Sequence, residues 1–224
     1  MTMFGRRPRG PGVLCLLTAV LLPFLVDASN ADAAKKQTFE FTMVPTSGAI
    51  RNCLPDATAE VTIKDAKVNQ IMKVKAEGLA PNTEYDLFVI QVPHAPFGVA
   101  WYQSDLETNK SGKGSATVQG IFSIETFSIS QAALTTNGRE NTPQTGATFG
   151  AVNQYHLGLW FNDPQVPFDL GCEPGAAMPT VTPFNGEQHA GIQVLNTSNF
   201  DDNDGPLRHF PPSSPSGAFI DGVR

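Results

Sequence analysis

The chain has 224 residues, with 15 lysines and arginines against 21 aspartates and glutamates and a formal net charge of −6. That balance argues against nucleic acid as a partner and against stable attachment to anionic lipid, both of which call for a basic surface. Three cysteines, 20 glycines and 18 prolines in a chain that is only 16% charged fit a turn-rich globular protein better than a disordered one.

Arg6, Arg7 and Arg9 precede an apolar run from Val13 to Val26 and a small-residue stretch from Ala28 to Ala34. This order is that of a secretory signal peptide over residues 1–34, with an A-x-A site after Ala33 or Ala34. Arg6-Arg7 leaves a twin-arginine export signal open as the alternative. Cys15 follows Leu14 and stands at the start of the apolar run, which does not suit lipid attachment. The apolar run is too short to span a bilayer, and no later run reaches that length, so no stable membrane insertion is expected after cleavage. Removing residues 1–34 takes three arginines and two aspartates and leaves a charge of about −7.

The exported part is then expected to be one β domain over residues 35–198. Phe39, Phe41 and Met43 alternate with Thr38, Glu40 and Thr42, as do Ala59, Val61 and Ile63 with Glu60, Thr62 and Lys64. Met72, Val74 and Ala76 oppose Lys73, Lys75 and Glu77, with Asp65 to Asn69 as a hairpin connection. Tyr85 to Ile90 is apolar on both faces apart from Asp86, which marks a central strand. A turn over Ser111 to Gly114 leads into Ala116, Val118, Gly120 and Phe122, and Phe127 with Ile129 continues the pattern. Residues 131–150 read as a long polar loop, Tyr155 to Phe161 and Gly191 to Leu195 as the last strands, and 199–224 as a flexible tail. The fold class is all-β and antiparallel. Cys53 and Cys172, the two cysteines outside the signal, are expected to form a disulfide in an oxidising, extracellular or cell-envelope compartment. Closing a loop of that length contributes at most about 4 to 5 kcal/mol in the chain-entropy model.

The stretch Gly78-Leu-Ala-Pro-Asn-Thr-Glu-Tyr85 resembles the corner before a central strand in fibronectin type III domains. The resemblance implies that Leu79, Pro81 and Tyr85 serve structure, with the Tyr85 hydroxyl bonded to upstream backbone. Gly78-Leu79 and Asp105-Leu106 with Gly112, Gly114, Ala116 and Val118 resemble, more loosely, the sandwich of copper/zinc superoxide dismutases. The family's copper-binding His-x-His positions fall here on Leu87 and Val89, so the resemblance implies the fold without the metal site. Tyr155-His-Leu-Gly-Leu-Trp-Phe-Asn-Asp-Pro164, Val181 to Gly186 and Val194 to Phe200 resemble secreted bacterial β proteins without an assigned function. Together these imply a Greek-key β-sandwich, immunoglobulin-like or superoxide dismutase-like.

For chemistry, no G-x-S-x-G elbow is present and the paired cysteines leave no thiol nucleophile. Asp201-Asp202-Asn203-Asp204-Gly205 offers oxygen ligands, but aligned on Gly205 the EF-hand pattern places Phe200 first and Pro211 twelfth, so no calcium loop is expected. No metal and no cofactor are expected. The candidate ligand-binding residues are aromatic or imidazole side chains. His156, Gly158 and Trp160 share one face of a strand, as a shallow slot for a sugar ring or planar ligand, or else as ordinary core. His94, Trp101 and Tyr102 bracket the proline-stiffened loop Pro93 to Gly98, which is either a ligand edge or a lid. Asn109 and Asn196 begin N-x-S sequons. The reading is a secreted, non-catalytic protein that binds an extracellular or cell-envelope partner, carbohydrate or protein. The alternatives are a metal-dependent oxidoreductase on a dismutase-like sandwich and a structural envelope component.

Overall fold

The computed structural model describes residues 37–130, 150–182 and 189–211. The signal-peptide reading, most of the polar loop after residue 130 and the last thirteen residues lie outside the described residues.

Eight strands form one antiparallel sheet. Three of them build a meander by strict alternation: β1 (Thr38–Pro45), β2 (Thr58–Asp65) and β3 (Gln70–Glu77). Their inward residues Phe41, Met43, Ala59, Val61, Ile63, Met72, Val74 and Ala76 are all buried. Asp65 pairs with Gln70 across the expected hairpin, and Asn69 takes the positive φ of 60° that the tight turn requires. Next come β4 (Glu84–Ile90), β5 (Ala100–Glu107) and β6 (Gly114–Gly120), followed by β9 (His156–Phe161) and β10 (Gln193–Asn196). The order across the sheet is β5-β4-β9-β10-β1-β2-β3-β6. Short strands β7 (Phe127–Ser130) and β8 (Gly150–Asn153) pair separately.

The sheet curls until it is nearly a barrel. Its edge strands β5 and β6 are consecutive in sequence and meet at the Thr108–Gly114 bridge. β1 is shared along its length: residues 38–43 pair with β2, whereas Val44 and Pro45 pair with β10. The concave side encloses the main core, where Tyr85, Leu87, Val89, Leu157, Leu159 and Phe161 meet the meander residues. A second, smaller cluster of Phe88, Ile90, Trp160 and Ala190 lies on the other face of β4 and β9.

Two features of the fold confirm sequence expectations directly. Cys53, at the end of α1 (Gly48–Cys53), is disulfide-bonded to Cys172, 119 residues later and just beyond α2 (Gln165–Asp169). The Ser47 hydroxyl caps α1 by accepting the Ile50 N–H at 3.2 Å. At the corner before β4 the buried Tyr85 hydroxyl accepts the Ala80 N–H at 2.9 Å. Gly78 has φ +68° there, and a Cβ would stand 2.1 Å from the Asp56 carbonyl oxygen, so only glycine fits.

Three expectations need correction. Residues 199–211 are not a loose tail: Leu207 and Phe210, one turn apart on the 3-10 helix Pro206–His209 and its cap, are both buried. The Leu207 N–H donates to the Tyr155 carbonyl at 3.2 Å and the Ile124 N–H to the Phe210 carbonyl at 2.9 Å. Trp101 and Tyr102, beyond the Pro93 to Gly98 loop, belong to a strand, β5, that the expected strand set lacks. A register shift between Leu87 and Phe88 inserts a bulge opposite them, which breaks the alternation that would mark β5 in the sequence. Finally, Phe122 is buried but lies past the end of β6.

Candidate functional site

Alternation along β4 puts Asp86, Phe88 and Ile90 on the convex face of the sheet. The register with β9 places them opposite Trp160, Gly158 and His156 respectively. On the other flank, Phe88 faces Tyr102 and Asp86 faces Asp105, with the bulge between. The convex face of three adjacent strands thus carries an aromatic row that continues into carboxylates.

The loop from Gln91 to Val99 folds over this face. Phe97 adopts φ +57°, a conformation costly for a bulky residue, and Gly98 adopts +68°. The surrounding bonds hold them there: Phe97 N–H to the His94 carbonyl at 2.7 Å, Val92 N–H to the Phe97 carbonyl at 3.1 Å, and Val99 N–H to the Gln91 side-chain oxygen at 3.2 Å. The buried Asn196 amide donates to the Pro93 carbonyl at 2.7 Å, tying the loop to β10. Phe97 is thereby set edge-on to Trp160, with centroids 5.1 Å apart and planes at 79°. Phe88 meets Trp160 at 5.3 Å and Tyr102 at 5.7 Å, both T-shaped.

Between these rings lies a cleft of about 340 Å³, bordered by Phe88, Pro96, Phe97, Trp101, Tyr102 and Trp160. Tyr102 is 48% exposed and forms its accessible wall, whereas Trp160 is 1% exposed. The Tyr102 hydroxyl donates to Asp105 Oδ1 through a short contact. Burial, the hydrogen bond to Asp105 and the neighbouring carboxylates all push the phenol above its ordinary range. Trp101 borders the cleft but packs against the main core, its indole N–H donating to Gln103 Oε1 at 3.1 Å.

The slot expected between His156 and Trp160 is filled by the tryptophan itself. A Cβ at Gly158 would lie 2.3 Å from Trp160 Cζ3, so the indole lies back across the glycine. His156 is wholly buried. Its Nε2 faces the Asp201 and Asp202 carbonyls at 3.2 and 3.1 Å, which can only accept, so Nε2 carries the proton. Nδ1 then accepts from the Thr197 hydroxyl at 2.9 Å, and that oxygen in turn accepts the Leu157 N–H. Desolvation holds the imidazole below its ordinary pKa, so it is a neutral structural bridge. His94 stands apart from the cleft: its Nε2–H donates to the Asp202 carboxylate at 2.9 and 3.0 Å on the exposed surface. Of the five candidate residues the structure therefore gathers Trp101, Tyr102 and Trp160, and assigns His94 and His156 to pinning the 201–205 turn. Arg208 and His209 reach Asp204 of the same turn.

Phe88, Phe97 and Asp86 escaped the sequence reading as site residues. The alternation of β4 against Trp160 was the available signal for Phe88 and Asp86. Asp86 is 2% exposed and its Oδ2 has no hydrogen-bond partner. Burial first, then Asp105 and Glu84, raise its carboxyl from 3.8 to about 6. Leu87 and Val89, at the dismutase copper positions, are buried in the main core. No group of three or more His, Cys, Asp or Glu suited to a metal occurs among the described residues. Of the two sequons, Asn196 is buried with its amide committed to Pro93, while Asn109 is exposed and accepts the Ser111 and Lys113 N–H groups.

No family model, curated protein or solved structure matches the chain.

Proposed function

We propose that this is an exported, non-catalytic binding protein whose ligand, small and partly apolar, enters the aromatic cleft on the convex face of β4, β5 and β9. The observation that carries the reading is the cleft itself: rings converge from three strands and a pinned loop around about 340 Å³, and one wall, Tyr102, stays open. That volume sits at the small end of the ~300–1,000 Å³ typical of ligand sites. Rings placed on strands lose little freedom on binding, which favours affinity from a small contact area. The signal-like residues 1–34 and the Cys53–Cys172 disulfide support export to an oxidising compartment. The finer description of the fold as a Greek-key sandwich belongs to the same reading, supported by the division of β1 between β2 and β10. The oxidoreductase alternative draws no support from Leu87 and Val89, whose side chains offer no ligating atom.

Titration of the purified protein with N-phenyl-1-naphthylamine, a neutral apolar fluorophore, tests the cleft. Saturable one-site binding that weakens at least tenfold in Phe97→Ala is expected. A linear, unsaturable signal, or equal affinity in Phe97→Ala, would overturn the reading.

A further inference from the structure

The convex face is acidic as well as aromatic. Asp86 continues the row Ile90–Phe88 along β4, next on that face beyond Phe88, which borders the cleft, and its register partners are Trp160 on one side and Asp105 on the other. Asp105 also accepts the hydroxyl of Tyr102, the open wall. Glu84 is two residues further along β4 and faces Glu107. Cross-strand pairs of like charge are unfavourable, and this face carries two in succession. The Asp86–Asp105 pair has no basic neighbour from β4, β5 or β9, whose sequences contain no lysine or arginine. Asp86 Oδ2 is buried without a partner beside the Trp160 position, roughly 7 Å along the strand from Phe88. A buried acceptor in that state is a site waiting for a donor or a positive charge.

We infer that the cleft takes a small soluble alkylammonium compound, its cationic group held over the aromatic faces and beside the Asp86–Asp105 carboxylates. This rests on the cleft being a ligand site, and it adds the charge of the ligand. Aromatic faces attract a cation through their negative quadrupole, and the effect grows when the cation is desolvated. A neighbouring carboxylate supplies the opposite charge that such a desolvated cation requires.

The test compares choline chloride with 3,3-dimethyl-1-butanol, its uncharged isostere, by intrinsic tryptophan fluorescence and calorimetry on the purified protein. Choline is expected to bind at least tenfold more tightly than the isostere. Asp86→Asn should remove most of that preference, whereas Phe97→Ala should weaken both compounds. If Asp86→Asn does not fold, the exposed Asp105→Asn carries the same expectation. Equal affinity for the two compounds would overturn the cationic ligand and leave the cleft reading standing. Binding of neither compound, with N-phenyl-1-naphthylamine still bound, would do the same. If that fluorophore also fails, the cleft reading falls as well. Binding to phosphatidylcholine vesicles without binding to free choline would overturn the soluble ligand.

Discussion

The indole of Trp160 lies across Gly158, so close that a Cβ at position 158 would stand 2.3 Å from Trp160 Cζ3. The glycine therefore provides the space in which the tryptophan turns toward Phe88 and Phe97. Gly158→Ala should displace the ring and cost about 1–3 kcal/mol, the range for overpacking a filled site. Trp160→Ala should cost about 3–5 kcal/mol, because the indole is core and not an exposed platform. Urea denaturation of both variants checks this; a Trp160→Ala protein as stable as the parent would show that the ring is not packed.

Asp86 makes stability depend on pH in a defined direction. Its carboxyl is raised from 3.8 to about 6 by burial, then by Asp105 and Glu84. Tyr102 also faces it from β5, and Trp160 from β9. The native protein therefore binds a proton that the unfolded chain has already released between these values. Stability from this group is complete below about pH 4, falls as pH rises, and is lost above about pH 6, a total of at most about 3 kcal/mol. Denaturation midpoints from pH 3.5 to 8 should show this decline in the parent, and Asp86→Asn should remove it. A variant that keeps the same slope would place the titration elsewhere.

The Tyr85 corner is the most readable feature of the sequence. Its hydroxyl accepts the buried Ala80 N–H, so Tyr85→Phe should lose about 0.5–1.5 kcal/mol, plus the cost of an orphaned donor. Tyr85→Ala should lose about 3–5 kcal/mol through the cavity it leaves. Equal stability of parent and Tyr85→Phe in chemical denaturation would contradict the hydrogen bond.

Replacing both Cys53 and Cys172 by serine should lower stability by about 2–4 kcal/mol, because the bridge constrains a long loop in the unfolded chain. Peptide mapping without reductant should recover the two linked segments from the exported protein. Free thiols at both positions would remove the constraint and the oxidising compartment with it.

What could be read in advance follows from what alternation encodes. Phe41, Val61 and Val74 announced buried faces because a two-residue period survives wherever the ladder is regular. β5 was hidden because a bulge shifts Tyr102 and Asp105 onto the same face as Phe88 and Asp86 despite their odd spacing. Leu207 and Phe210 looked isolated in a polar stretch, since a single 3-10 turn gives no repeat to detect. At the site, the sequence placed His156 and Trp160 on one face but carried no sign of what covers it. Phe97 closes that face only because an irregular loop, fixed by backbone bonds to the His94 carbonyl and from the Val92 N–H, holds it at positive φ.

The most direct measurement is an amide and indole chemical-shift map of the isotope-labelled full-length exported protein during a choline titration. The account predicts saturating shifts at the Trp160 indole N–H and at the amides of Phe88, Phe97 and Tyr102, with Cys53 and its helix unmoved. Shifts concentrated instead around His94, Asp202 and His209, or no saturating shift in the cleft at all, would contradict it.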